Sequence, residues 1–152
     1  LTMDRVPLLV PLNGPLHGRR FQLNDEEMLT IGRSEDCDIH IDDPEISRHH
    51  ASVVLHNAGV WIQDAGSRNG VFVDDKRVVR PVELRANSTM TIGEYGFAVE
   101  LEEISPDDPS IVRPAKKEKT NFRPPKQRKI SAFLIFVLLA ILIAGAIFAK
   151  IF

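Results

Sequence analysis

Met28-Leu29-Thr30-Ile31-Gly32-Arg33, Ile46-Ser47-Arg48-His49-His50-Ala51 and Asp64-Ala65-Gly66-Ser67-Arg68-Asn69-Gly70-Val71 are the stretches that decide how this chain is read. In each, an alternating apolar run breaks into a short polar island. The three islands place Arg33, then Ser47 with Arg48, then Arg68 with Asn69, within about forty residues of sequence. Each offers hydrogen-bond donors: a guanidinium, a hydroxyl beside a second guanidinium, and a third guanidinium beside a carboxamide. Held together at one end of a small β domain, they would form a socket for a phosphate on an extended peptide.

The surrounding sequence predicts that β domain. Leu8 to Leu12, Arg20 to Leu23, Met28 to Ile31, Asp38 to Ile41, Ala51 to Leu55, Val60 to Gln63, Val71 to Val73, Ser88 to Ile92 and Gly96 to Leu101 are short β-rich runs. Asn13-Gly14, Asn57-Ala58-Gly59, Asp74-Asp75 and Gly93-Glu94 supply turn chemistry between them. The spacing predicts an all-β sandwich with Val53, Leu55, Val60, Ile62, Phe72 and Phe97 in its core and Trp61 packed inside as well. About a hundred residues suffice for such a core without a metal or a disulfide.

Charge divides the chain. Residues 1–112 carry 20 acidic and 10 basic side chains, whereas residues 113–152 carry nine basic and one acidic. The acidic part is poorly suited to nucleic acid, whose binding rests on neutralising phosphates, so no nucleic-acid partner is expected. Cys37 is the single cysteine, which excludes an intrachain disulfide and a multi-cysteine metal cluster. Residues 1–12 lack the long apolar core of a secretory leader.

Three zones are expected: a β-sandwich over residues 1–104, a linker over 105–129 and a transmembrane helix over 130–149. Pro106, Pro109, Pro114, Pro124 and Pro125 punctuate the linker, which reads as disordered. Ile130 to Ala149 is free of charge, and twenty helical residues span roughly 30 Å, the hydrocarbon thickness of a bilayer. Eight basic residues between Arg113 and Lys129 precede this span and Lys150 follows it. The positive-inside rule then places the β domain on the cytoplasmic side of a cell membrane, with Lys126, Arg128 and Lys129 near anionic lipid.

Gly32-Arg33-Ser34, Asp38-Ile39-His40-Ile41-Asp42, Ile46 to Ala51, Asp64, Ser67 to Gly70 and Val71-Phe72-Val73 together resemble the forkhead-associated (FHA) domain in order and spacing. The resemblance covers about Pro7 to Leu101. It implies an eleven-stranded β-sandwich of two twisted sheets that binds phosphothreonine peptides at one end. Carried over by position, it implies that Arg33, Ser47, Arg48 and Arg68 contact phosphate or its surroundings and that Asn69 holds the peptide backbone. It implies supporting roles for Gly32, His50 and Gly70.

Other chemistries fit poorly. Ser47 and His50 lack a nucleophile elbow and an oxyanion site, so no enzymatic activity is expected. No metal or other cofactor is expected either: His40, His49 and His50 alternate in direction, with no tight carboxylate and cysteine cluster apparent beside them. Cys37 reads as a small loop residue. The expected function is a single-pass, membrane-tethered phosphothreonine reader that recruits a client marked by a Ser/Thr kinase. The alternative is a phosphate-independent scaffold or assembly subunit of a larger membrane protein complex.

Overall fold

The computed structural model describes residues 5–105, 107–115 and 122–125. The expected transmembrane span at 130–149 and much of the expected linker lie outside the described residues. Among the described residues no helix is long and apolar enough to cross a membrane.

Among the described residues twelve strands form two sheets: β1 (Arg5–Pro11), β2 (Arg20–Gln22), β3 (Met28–Gly32), β4 (Ile39–His40), β5 (Ala51–His56), β6 (Gly59–Asp64), β7 (Val71–Val73), β8 (Lys76–Arg77), β9 (Val82–Leu84), β10 (Met90–Ile92), β11 (Tyr95–Glu103) and β12 (Ile111–Val112). One sheet runs β12-β2-β1-β11-β10-β7-β8 and the other β4-β3-β5-β6-β9. Leu9, Phe21, Ile31, Val53, Ile62, Ile92 and Phe97 fill the space between them. Each such side chain contributes roughly 1.5–3 kcal/mol on leaving water.

Local chemistry sets the hairpins. Asn57 and Ala58 between β5 and β6 have φ of 50° and 60°, and Asp74 and Asp75 between β7 and β8 have φ of 48° and 63°. Two successive left-handed residues match the right-handed twist of the paired strands.

Several expectations need correction. The eleven strands implied by the resemblance become twelve. The added β12 pairs in parallel with β2 from within the expected linker. Arg20 explains its placement: it binds the carboxylates of Glu102 and Asp108 and the hydroxyl of Ser110, while its backbone N–H donates to the Ser110 carbonyl at 2.9 Å. Phe72 is half-buried because Val71 and Val73 take the inward positions of a three-residue strand. Trp61 likewise faces outward between inward-facing Val60 and Ile62, paired with Val54 and Glu83. Leu55 is only partly buried, against the rim of the core.

The outer face of the smaller sheet meets the segment that follows the sandwich. The Phe122 ring stands edge-on to His56 at 5.8 Å between centroids and tilted on Trp61 at 6.0 Å. His56 is itself held by Glu26, with Nδ1 2.5 Å from the carboxylate.

Candidate functional site

Three loops meet at one end of the sandwich: 33–38 between β3 and β4, 41–50 between β4 and β5, and 65–70 between β6 and β7. Backbone bonds lace the first two. Arg33 N–H donates to Ser47 O and Ser34 N–H to Arg48 O, both at 3.0 Å, and His50 N–H donates to Ile31 O at 2.8 Å. The approach is close enough that a Cβ on Gly32 would lie 2.1 Å from the Arg48 carbonyl oxygen. Only glycine fits there.

The third loop builds itself and then ties to the second. Ser67 N–H donates to Asp64 Oδ1 at 2.7 Å, and Gly70 N–H to Ser67 Oγ at 2.9 Å. Gly70 has φ of 90°. The Arg68 N–H donates to Ser47 Oγ at 3.0 Å, which leaves the Ser47 hydroxyl proton to donate elsewhere. Asn69 Nδ2 donates to the Glu45 carbonyl and carboxylate, each at 2.8 Å.

His50 lies beneath all this, fully buried. The Ser47 N–H donates to its Nδ1 at 3.0 Å, so the ring proton sits on Nε2 and donates to the Gly70 carbonyl at 3.0 Å. A buried imidazole with both nitrogens paired braces two loops from below.

The guanidiniums stay outside. Arg33 and Arg48 are exposed, and Arg33 has one long bond, from Nε to Ile46 O at 3.3 Å. Arg68 reaches the Pro44 carbonyl at 3.2 Å and the Glu45 carboxylate at 3.7 Å. Exposed cations are loosely held by such surface contacts and remain available to an incoming anion. Glu45 thus lies against the donors of both Arg68 and Asn69.

Two features escaped the sequence reading. A side chain on Gly70 would meet Arg77 Nε at 2.9 Å, so a further guanidinium lies against the third loop. The two-residue β8 that carries it is charged and has no periodicity to betray it. The second is the partnership of His49. Cys37 Sγ is 3.6 Å from His49 Nδ1, and Asp36 Oδ2 is 3.8 Å from His49 Nε2. The expectation that no carboxylate and cysteine accompany the histidines therefore fails for His49. Cys37 is buried, its Sγ donates to the Arg48 carbonyl at 3.3 Å, and burial followed by the nearby Asp36 charge raises its thiol above the ordinary value.

At the rim, the Tyr95 hydroxyl donates to Asp43 Oδ2 at 2.7 Å, which ties β11 to the second loop. That bond, aided by desolvation, pushes the Tyr95 hydroxyl to about 12.

A two-sheet sandwich with three donor-bearing loops at one end has the architecture of an interaction module. The model of the FHA domain matches residues 29–93. The FHA domain of the CT664 protein from Chlamydia trachomatis superposes with a TM-score of 0.58 at 32% identity, covering 63% of this chain and 96% of that one. The chain belongs to the forkhead-associated family. EmbR from Mycobacterium tuberculosis, solved in complex with a low affinity phosphopeptide, superposes with a TM-score of 0.57 at 30% identity over 66% of this chain and 25% of that one. The glycogen accumulation regulator GarA of Mycobacterium tuberculosis is 39% identical over 88 residues, 58% of this chain and 53% of its own length. The chain spans about half the length of the curated relatives it matches.

Proposed function

We propose that this chain is a non-enzymatic, membrane-tethered phosphothreonine reader whose site is formed by Arg33, Ser47, Arg48, Arg68 and Asn69. The observation that carries this reading is the Ser47 hydroxyl. Its oxygen is committed to the Arg68 N–H while its proton remains free to donate, between exposed guanidiniums. A phosphothreonine brings about −1.5 to −2 charges and three acceptor oxygens, matching that set of donors. Asn69 then exchanges the Glu45 carbonyl and carboxylate for the backbone of an extended peptide. The chemistry is recognition: a Ser/Thr kinase supplies the mark, and the loops bind it.

The uncharged stretch at 130–149 and the basic run before it support a single-pass anchor with the domain on the cytoplasmic face. There the reader would recruit its phosphorylated client to the membrane, with the basic segment next to anionic lipid.

The deciding experiment is fluorescence anisotropy with a degenerate phosphothreonine peptide library and its unphosphorylated twin, with Arg33→Ala as control. Binding that requires both the phosphate and Arg33 supports the reading. Equal binding of both pools overturns it in favour of a phosphate-independent scaffold in a membrane complex. Phosphatase treatment of a captured complex would then leave it intact.

A further inference from the structure

Loop 33–38 carries more than the exposed Arg33. Its far half brings Asp36 and Cys37 across to His49, which directly follows Arg48 in the second loop. We propose that Asp36, Cys37 and His49 form a binding site for a thiolate-seeking divalent cation of the zinc class. Occupancy of this site would clamp the first two loops together.

The separation of the two strongest donors fits. Bonds of about 2.3 Å to sulfur and about 2.0 Å to imidazole nitrogen, at a tetrahedral angle, put the two ligand atoms about 3.5 Å apart. Cys37 Sγ and His49 Nδ1 stand 3.6 Å apart. A carboxylate oxygen of Asp36 completes a set whose three donor atoms all lie within 4.8 Å of one another. Asp36 Oδ2 stands 3.8 Å from the other ring nitrogen, Nε2, so this exposed side chain has to turn toward Nδ1 to share an ion with Cys37. One tetrahedral position is left for water, as in an open site.

The site is also built and reachable. The sulfur is fixed before any ion arrives: Cys37 N–H donates to Ser34 O at 3.1 Å, Sγ donates to Arg48 O at 3.3 Å, and the residue is only 7% exposed. The Asp36 and His49 side chains are 68% and 59% exposed and form an open rim above it. On binding, the thiol proton leaves to solvent and a metal–sulfur bond replaces the contact with the Arg48 carbonyl. One thiolate, one imidazole and one carboxylate select a borderline-soft ion over magnesium or calcium, which take oxygen ligands.

The test is a cobalt(II) titration of the full chain in detergent, followed by zinc competition, with magnesium as the negative probe. The expected result is saturation at one equivalent, with a near-ultraviolet thiolate-to-cobalt charge-transfer band and intense tetrahedral visible bands that zinc abolishes. Cys37→Ser should lose the charge-transfer band. His49→Ala, a change at an exposed side chain, should weaken cobalt affinity at least tenfold and remove the rise in melting temperature that zinc gives the parent. Absence of the charge-transfer band in the parent chain overturns the proposal. So does unchanged cobalt affinity in His49→Ala.

Discussion

The Nε2 of His50 donates to the carbonyl of Gly70 across 3.0 Å, joining the second and third loops through a side chain with no solvent exposure. The same ring takes the Ser47 N–H on Nδ1, so one imidazole fixes the hydroxyl-bearing loop and the carboxamide-bearing loop together. His50→Ala leaves the Ser47 N–H and the Gly70 carbonyl without their buried partners. The expected cost is about 3 kcal/mol of folding stability. Urea denaturation of the variant checks this, and a loss below about 0.5 kcal/mol would contradict the bracing role.

Arg33→Ala removes a guanidinium whose one side-chain bond among the described residues is the long contact to Ile46 O. Stability should change by less than about 0.5 kcal/mol, as for surface substitutions generally. Phosphopeptide affinity should fall by about a hundredfold, since a bidentate charged pair is worth about 3 kcal/mol. Anisotropy and thermal melting on the same preparation read both quantities.

Ser47→Ala separates two roles of one hydroxyl. The acceptor for the Arg68 N–H disappears along with the proton left to donate. Affinity should drop about tenfold, for roughly 1.4 kcal/mol, and amide exchange at Arg68 should quicken. Slow exchange at Arg68 in the variant would show that Ser47 does not hold the third loop.

The Tyr95–Asp43 bond predicts a definite pH response. The folded state holds the Tyr95 proton up to about 12 against an ordinary value of 10.0. This stabilisation is full below pH 10 and lost as pH rises through about 12. Asp43 is held below its ordinary value, first by the Glu45 backbone N–H and then by the Tyr95 hydroxyl. Its contribution is present above its ordinary value of 3.8 and lost as pH falls through its lowered value in the folded state. Tyr95→Phe should therefore be less stable than the parent at pH 7, and the gap should narrow by about pH 11.5. Urea midpoints at both values check the sign.

Phe122→Ala tests the contact between the post-sandwich segment and the smaller sheet. Trp61 is the single tryptophan of the chain, so its emission reports this site alone. Losing the ring should shift the emission to the red and raise quenching by acrylamide. An unchanged spectrum would mean that Phe122 does not stay on Trp61 in solution.

Much of this molecule was legible in order along the chain. Alternation placed nine of the twelve strands to within a few residues, because a strand shows its inward face to the sequence every second position. The turn at Asn57-Ala58 and that at Asp74-Asp75 were legible because Asn57, Asp74 and Asp75 are types that tolerate left-handed backbone, whereas nothing in Ala58 itself signals its φ of 60°. The three donor islands were visible because loops that bind an anion need a particular chemistry.

What the sequence by itself determined was local: where strands and turns fall, and which residues carry donors. The tertiary structure decided everything that depends on a distant partner. Val71 and Val73, rather than Phe72, were chosen for the core by the register of β7 with β10. β12 exists because Arg20, ninety residues earlier, holds Ser110 in place. Glu45 covers the donors of Arg68 and Asn69, and Cys37 faces His49, only because separate loops cross at one end of the sandwich. Period and turn chemistry are properties of neighbouring residues and are written in the chain. Pairing between loops is set by packing and backbone hydrogen bonds across long sequence separations, which no local pattern encodes.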